Sequence, residues 1–187
     1  MTLLDEIRNY SPYNAQEEKD RAQLLWWLES GIPLYHRESA AHLTASAWVV
    51  TPDRQRVLMA YHRLYDSWAW TGGHADGETD LCAVAKREAE EETGVSGLRL
   101  LRDGIFSLEI LSVDGHEKRG EYVSTHLHLN VTYLFEADPD APLRCKPDEN
   151  TAAAWLRVEE LPEKVTEPWY LRRIYGKLLK KAEILGL

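Results

Sequence analysis

Leu3, Leu4 and Ile7 share one helical face before Ser11-Pro12 interrupts the run. Asn14 is placed to cap a second helix through Glu17, Arg21, Leu24, Leu25 and Leu28, with Trp26-Trp27 inside it and Gly31-Ile32-Pro33 beyond its end. The pattern then changes to strands. His42–Val50 reads as one, a turn follows at Pro52-Asp53-Arg54, and Arg56–His62 reads as the next. Ser67–Thr71 is a short strand leading into a glycine pair. Further strands are expected at Leu98–Leu101, Gly104–Val113 and Tyr122–Phe135, the last rich in aromatic and β-branched residues. Asp114–Gly120 reads as a polar, mobile loop between them, and Ala137–Asn150 as a surface loop.

Ala152–Val158 is the final strand candidate, and Glu159 to Pro162 a turn or short helix. Tyr170–Leu185 reads as an amphipathic helix. Its pattern points Leu171, Ile174, Leu178 and Leu179 inward and Arg172, Arg173, Lys177, Lys180 and Lys181 outward, as a solvated basic face. The elements together predict an α/β domain spanning 39–187, preceded by a helical extension over 1–38.

The chemistry concentrates in Gly72 to Val95, GGHADGETDLCAVAKREAEEETGV. A helix is expected from about Asp80 to Thr93, capped by Thr79 or Asp80 and closed by Gly94. Glu88, Glu91 and Glu92 fall at i, i+3 and i+4, within an arc of about 100° beside the apolar arc of Leu81, Cys82, Ala85 and Ala89. Like charges at this spacing repel, and the helix C-terminus disfavours them further. A hard divalent cation reverses both terms. Without such an ion, an acidic run of this kind is simply a solvated helix end.

The flanking residues distinguish the two readings. Arg87-Glu88-Ala89-Glu90-Glu91-Glu92-Thr93-Gly94-Val95 resembles the second half of the signature of the Nudix hydrolase family. In the first half, five residues separate Gly72 from Glu78, but eight rather than seven separate Glu78 from Arg87; counted from Gly73, Thr79 stands at the expected Glu. The resemblance covers 24 of 187 residues. It implies the Nudix α/β/α sandwich, a mixed β-sheet between helices, in which a strand, a glycine loop and a helix follow one another. It also implies hydrolysis of a pyrophosphate bond in a nucleoside diphosphate linked to another group. Glu88, Glu91 and Glu92 would hold Mg²⁺ or Mn²⁺ and activate water. Arg87 would orient a glutamate, Gly72 and Gly73 would let backbone approach helix and phosphates, and Glu78 would support the site from the helix N-terminus.

Composition narrows the partners. A net charge of −9 argues against a nucleic-acid polymer or a membrane surface, but not against a phosphorylated small molecule met through a cation. Cys82 and Cys145 are the only cysteines, which suits a reducing compartment and gives no zinc or disulfide framework. The N-terminus carries Asp5 and Glu6 instead of a basic start and apolar core, and no apolar run approaches a membrane span, so a cytoplasmic location is expected. Trp26-Trp27 is expected to pack or to make a homodimer contact.

The general base is open at this point among the helix itself, Glu117, Glu121 and Glu149. His126 and His128 share a strand face; half-buried structural histidines are the expectation, with a substrate cleft or a metal as alternatives. Trp68 and Trp70 are candidates for stacking on a base, and Arg37, His62 and Arg63 for meeting a phosphate, with packing and ordinary surface charge the simpler roles. Two other functions compete with hydrolysis. An isopentenyl-diphosphate-isomerase-like enzyme needs a cysteine in the cleft, and neither Cys82 nor Cys145 is well placed for one. A non-catalytic nucleotide-sensing module would normally have lost metal ligands or gained a DNA-binding domain.

Overall fold

A computed structural model of the protein describes residues 1–62, 66–118, 120–145 and 150–186. Two helices lead: α1 (Leu3–Asn9), capped by Thr2, and α2 (Ala15–Glu29), where the Asn14 side chain accepts from the Glu17 N–H. Strands β1 (Ala41–Val50), β2 (Arg56–His62), β3 (Ser67–Ala69) and β4 (Thr71–His74) precede α3 (Leu81–Thr93). Then come β5 (Arg99–Leu100), β6 (Ser107–Val113), β7 (His116–Lys118), β8 (Glu121–Val123), β9 (His126–Glu136) and β10 (Asn150–Arg157). A 3₁₀ turn at Val158–Glu160 leads through α4 (Leu161–Lys164) and α5 (Pro168–Tyr170) to α6 (Gly176–Ile184), with a π-helical stretch over Leu171–Tyr175.

The main sheet runs β10-β2-β1-β9-β5, with β3 on β2, β4 on β1 and β6 on β9. Its centre is the parallel pair β1/β9, in register from Ala41 opposite Leu127 to Val50 opposite Glu136. All ten residues of β1 are buried, so both faces of this strand are covered. One face (Leu43, Ala45, Ala47, Val49) packs with Ile7, Leu24 and the α3 residues Leu81, Val84, Ala85 and Ala89. The other (Trp48, Val50) packs with Ile174, Tyr175 and Leu178. The result is an α/β/α sandwich around a mixed sheet, and the leading helices contribute to its core.

Three expectations are corrected. Residues Asp114–Gly120 are not simply a loop: β7 and β8 form an antiparallel hairpin, and Gly120 supplies a left-handed φ of 83° beside its turn. The run Tyr122–Phe135 is not one strand, because the Thr125 hydroxyl accepts the Gly115 N–H at the junction between β8 and β9. Lys177 and Lys181 are not on a solvated face. Lys177 lies 2.8 Å from Glu109 and 3.3 Å from Glu17, and Lys181 lies 2.8 Å from Glu17, all four side chains being buried. The π-helical turn re-phases the helix just before them, and two buried carboxylates supply the counter-charge that an apolar core would lack.

Candidate active site

Local chemistry fixes α3. The Asp80 side chain accepts from the Ala83 N–H, and Gly94 ends the helix at φ 69° with its N–H on the Glu90 carbonyl. Leu81, Val84, Ala85 and Ala89 bury one face against β1. That burial rotates Glu88 and Glu92 toward β4, where the glycine pair lies opposite Ala45 and Ser46 of β1.

Glu92 is only 7% exposed. Its Oε1 accepts from the Gly72 N–H at 3.1 Å, and its Oε2 from Asn150 Nδ2 at 3.0 Å. A buried carboxylate needs such donors, since burial without them is costly. Glu88 sits against Gly73 so closely that a Cβ there would come within 2.7 Å of Glu88 Oε2. Arg87 reaches Glu88 Oε1 at 3.3 Å and Glu91 Oε1 at 3.9 Å. Glu91 is the exposed member of the three. Glu78 is at the other end of the helix, its Oε1 accepting from the Thr79 and Asp80 N–H groups, on the order of 15 Å of helix away from Glu91.

The arrangement of sheet, glycine strand and glutamate helix extends well beyond the 24-residue motif, and the NUDIX domain family model matches residues 40–178. The chain belongs to the NUDIX family. A local match, 50% identical over 54 residues, relates it to a "CMP-5'-(N-acetyl-N-hydroxy-3-aminopropyl)phosphonate hydrolase" of Streptomyces rubellomurinus; it spans 27% of this chain and 26% of that protein. Among solved structures, an Ap4A hydrolase of C. elegans superposes with TM-score 0.55 at 18% identity, over 78% of this chain and 98% of that one. The NUDIX domain of Shewanella oneidensis NrtR, solved with ADP ribose, superposes with TM-score 0.51 at 17% identity over the whole of both chains. Identities this low speak for the fold alone.

Within this NUDIX domain, β4 and α3 bring Gly72, Gly73, Glu88 and Glu92 together, with Arg87 and Glu91 on the outer edge. Asn150 is the member that sequence reasoning missed; it follows a polar loop and carries no motif of its own. Of the proposed bases, Glu117 and Glu121 are exposed on the β7–β8 hairpin, and Glu149 lies outside the described residues, as does Arg63.

The remaining candidates have partners of their own. Trp68 and Trp70 pack against the second core cluster, Trp70 edge-on to Tyr175. Arg37 pairs with Asp76, its Nε donating to Oδ1 and its Nη2 to Oδ2. Trp27 packs on the core, whereas Trp26 is 60% exposed. Cys82 packs against the core, and burial pushes its thiol up to about 11, far from a reactive thiolate. No helix among the described residues is long and apolar enough to cross a membrane.

The same β4 strand carries a second cluster. His42, His74 and His128 each place a ring nitrogen within 4.8 Å of the others. His126 stacks on His42 with centroids 5.0 Å apart, and its Nε2 is 3.2 Å from His128 Nε2. Burial, reinforced by the neighbouring histidines, depresses His128 to about 2, and burial lowers His42 as well. The cluster continues into a buried polar stripe: Thr44 and Ser46 donate to Asn130 Oδ1, and Asn130 donates to Glu109.

Proposed function

We propose that this Nudix hydrolase cleaves the pyrophosphate bond of a nucleoside diphosphate joined to another group, with Mg²⁺ or Mn²⁺ held by Glu88, Glu91 and Glu92. The observation that carries the reading is the seating of Glu88 and Glu92 on the Gly72-Gly73 backbone. Three carboxylates are an all-oxygen donor set, suited to a hard cation. The fit is close at Gly73, where any side chain would displace Glu88. Such an ion, when bound, supplies charge neutralisation at the phosphates and a water of lowered pKa.

The chain's own contribution is positional. Gly72 N–H and Asn150 Nδ2 fix the Glu92 carboxylate from two sides. Arg87 steers Glu88 by a charge-assisted hydrogen bond and stands near Glu91. The glycine pair leaves the backbone open to an approaching phosphate. With a net charge of −9, a cation on the carboxylates would offset the repulsion an anionic substrate meets there.

The test is a panel of nucleoside diphosphate derivatives assayed with Mg²⁺ and with Mn²⁺. A CMP-linked phosphonate belongs first in it because of the 50% identical segment. Ap4A, ADP-ribose, nucleotide sugars and oxidised nucleotides follow. Metal-dependent release of a nucleoside monophosphate, reduced about a hundredfold or more in Glu91→Gln, is the expected result. Tight nucleotide binding with no turnover of any panel member would favour the sensing module instead.

A further inference from the structure

The proposed hydrolysis makes no use of the histidines at the start of β1 and β9. Five of the seven in the chain, His42, His74, His116, His126 and His128, gather there. Four strands supply them: β1, β4, β7 and β9. Parallel pairing sets His42 opposite His128, and antiparallel pairing sets His74 opposite Thr44, two residues along the same face from His42.

We propose that His42, His74 and His128 form a binding site for a transition-metal ion of the Zn²⁺ class, separate from the carboxylate site on α3. The hydrogen bonds fix the tautomers of His42 and His128 in the sense that ligation needs. A carbonyl oxygen can only accept, so the 2.9 Å contact from His42 Nδ1 to the Ser39 carbonyl places the proton on Nδ1. That leaves the lone pair of His42 on Nε2, a buried atom with no hydrogen-bond partner, on a side chain only 2% exposed. His126 Nδ1 likewise donates to the Ser124 carbonyl at 2.8 Å, so its Nε2 is an acceptor. The 3.2 Å contact from His128 Nε2 is then a donated N–H, which leaves the His128 lone pair on Nδ1. This is the pattern in which one ring nitrogen of a histidine is anchored by an outer partner and the other is held ready for a metal.

Distance and chemistry agree with that assignment. Nitrogens around a tetrahedral Zn²⁺ stand about 3.3 Å apart, given Zn–N bonds of about 2.0–2.1 Å. Ring atoms already within 4.8 Å of one another reach that spacing by small ring rotations. Imidazole nitrogen selects Zn²⁺, Co²⁺ or Ni²⁺ over Mg²⁺, whereas the α3 carboxylates prefer the hard ion. The two sites therefore sort different metals although β4 serves both, Gly72 and Gly73 for one and His74 for the other. Three protein nitrogens leave a fourth position for an outside oxygen ligand. The ion would also tie together the ends of β1, β4 and β9.

The experiment uses tag-free full-length protein, stripped with chelator and held in saturating Mg²⁺ to occupy the carboxylates. Co²⁺ is the probe. One equivalent is expected to bind with the visible ligand-field bands of a nitrogen-ligated tetrahedral ion, to be displaced by Zn²⁺, and to raise the melting temperature. His74→Gln and His128→Gln should each weaken Co²⁺ at least about tenfold, while Glu91→Gln keeps it. Should a histidine variant fail to fold, the wild type alone still decides: Co²⁺ must shift the imidazole resonances of His42, His74 and His128 before those of His36 and His62. No stoichiometric uptake, uptake lost in Glu91→Gln but kept in both histidine variants, or shifts that appear first at His36 and His62 would each overturn the assignment. None of these outcomes depends on whether the carboxylate site hydrolyses anything.

Discussion

Asn150 Nδ2 donates a 3.0 Å hydrogen bond to Glu92 Oε2, joining the first residue of β10 to the last turn of α3. Together with the Gly72 N–H it leaves the Glu92 carboxylate one orientation. Asn150→Ala removes a donor from a buried acceptor, at a cost of about 1–3 kcal/mol. Spent on positioning Glu92, that is roughly a tenfold loss in kcat. Asn150→Asp should lose more, because it sets a second carboxylate against the first. Steady-state kinetics with melting temperatures for both variants check this; unchanged kcat in Asn150→Asp would remove Asn150 from the site.

The two glycines should fail differently. The three atoms nearest a Cβ at Gly73 all belong to the Glu88 side chain, which can swing away, so Gly73→Ala is expected to lose activity with little thermal penalty. A Cβ at Gly72 would stand 2.7 Å from the Ala45 carbonyl and 2.6 Å from Ser46 Oγ, and backbone in a central strand cannot yield. Gly72→Ala should cost about 1–3 kcal/mol, or roughly 2–12 °C in melting temperature for a chain of this size. Thermal scans and assays of the pair separate the two effects.

Glu91 and Glu92 should also part company. Millimolar Mg²⁺ or Mn²⁺ is expected to raise the wild-type melting temperature by binding only the folded state. Glu91 is exposed, so Glu91→Gln without metal should melt at least as high as wild type, having lost a repulsive charge. Glu92→Gln should melt lower, because its amide NH₂ would face either the Gly72 N–H or the Asn150 NH₂. Both should gain less from metal and lose most hydrolysis. Equal melting of the two variants without metal would show that the Glu92 donors carry little energy.

Glu17 predicts an acid transition. Burial alone would raise its pKa, but Lys177, Lys181 and the Tyr13 N–H together hold it below the ordinary carboxylate value of 4.5. A carboxylate depressed in the folded state contributes stability that is complete above its unfolded pKa and is lost as pH falls through the folded one. Stability should therefore drop as pH falls below about 4.5, with Lys181 then buried without its carboxylate and Lys177 left to Glu109. Glu17→Gln should abolish that part of the pH dependence and cost about 3–5 kcal/mol at neutral pH. Denaturant unfolding of both proteins across the acid range measures it.

Sequence by itself determined what local spacing controls. The caps at Asn14, Asp80 and Gly94, the β2 strand at Arg56–His62, and the arc of Glu88, Glu91 and Glu92 follow from turn chemistry and helical period, which involve residues a few positions apart. Tertiary structure alone decided the contacts that join distant elements. Asn150 meets Glu92 across 58 positions because β10 pairs with β2 while α3 packs over the sheet. His42, His74 and His128 meet because the β1/β9 and β1/β4 registers align them, and a slip of one residue would turn each to the other face. Lys177 and Lys181 read as surface cations until Glu17 and Glu109, both buried, are placed beside them. Periodicity reports which face of an element a residue occupies, whereas the partner that face meets is set by sheet register and packing.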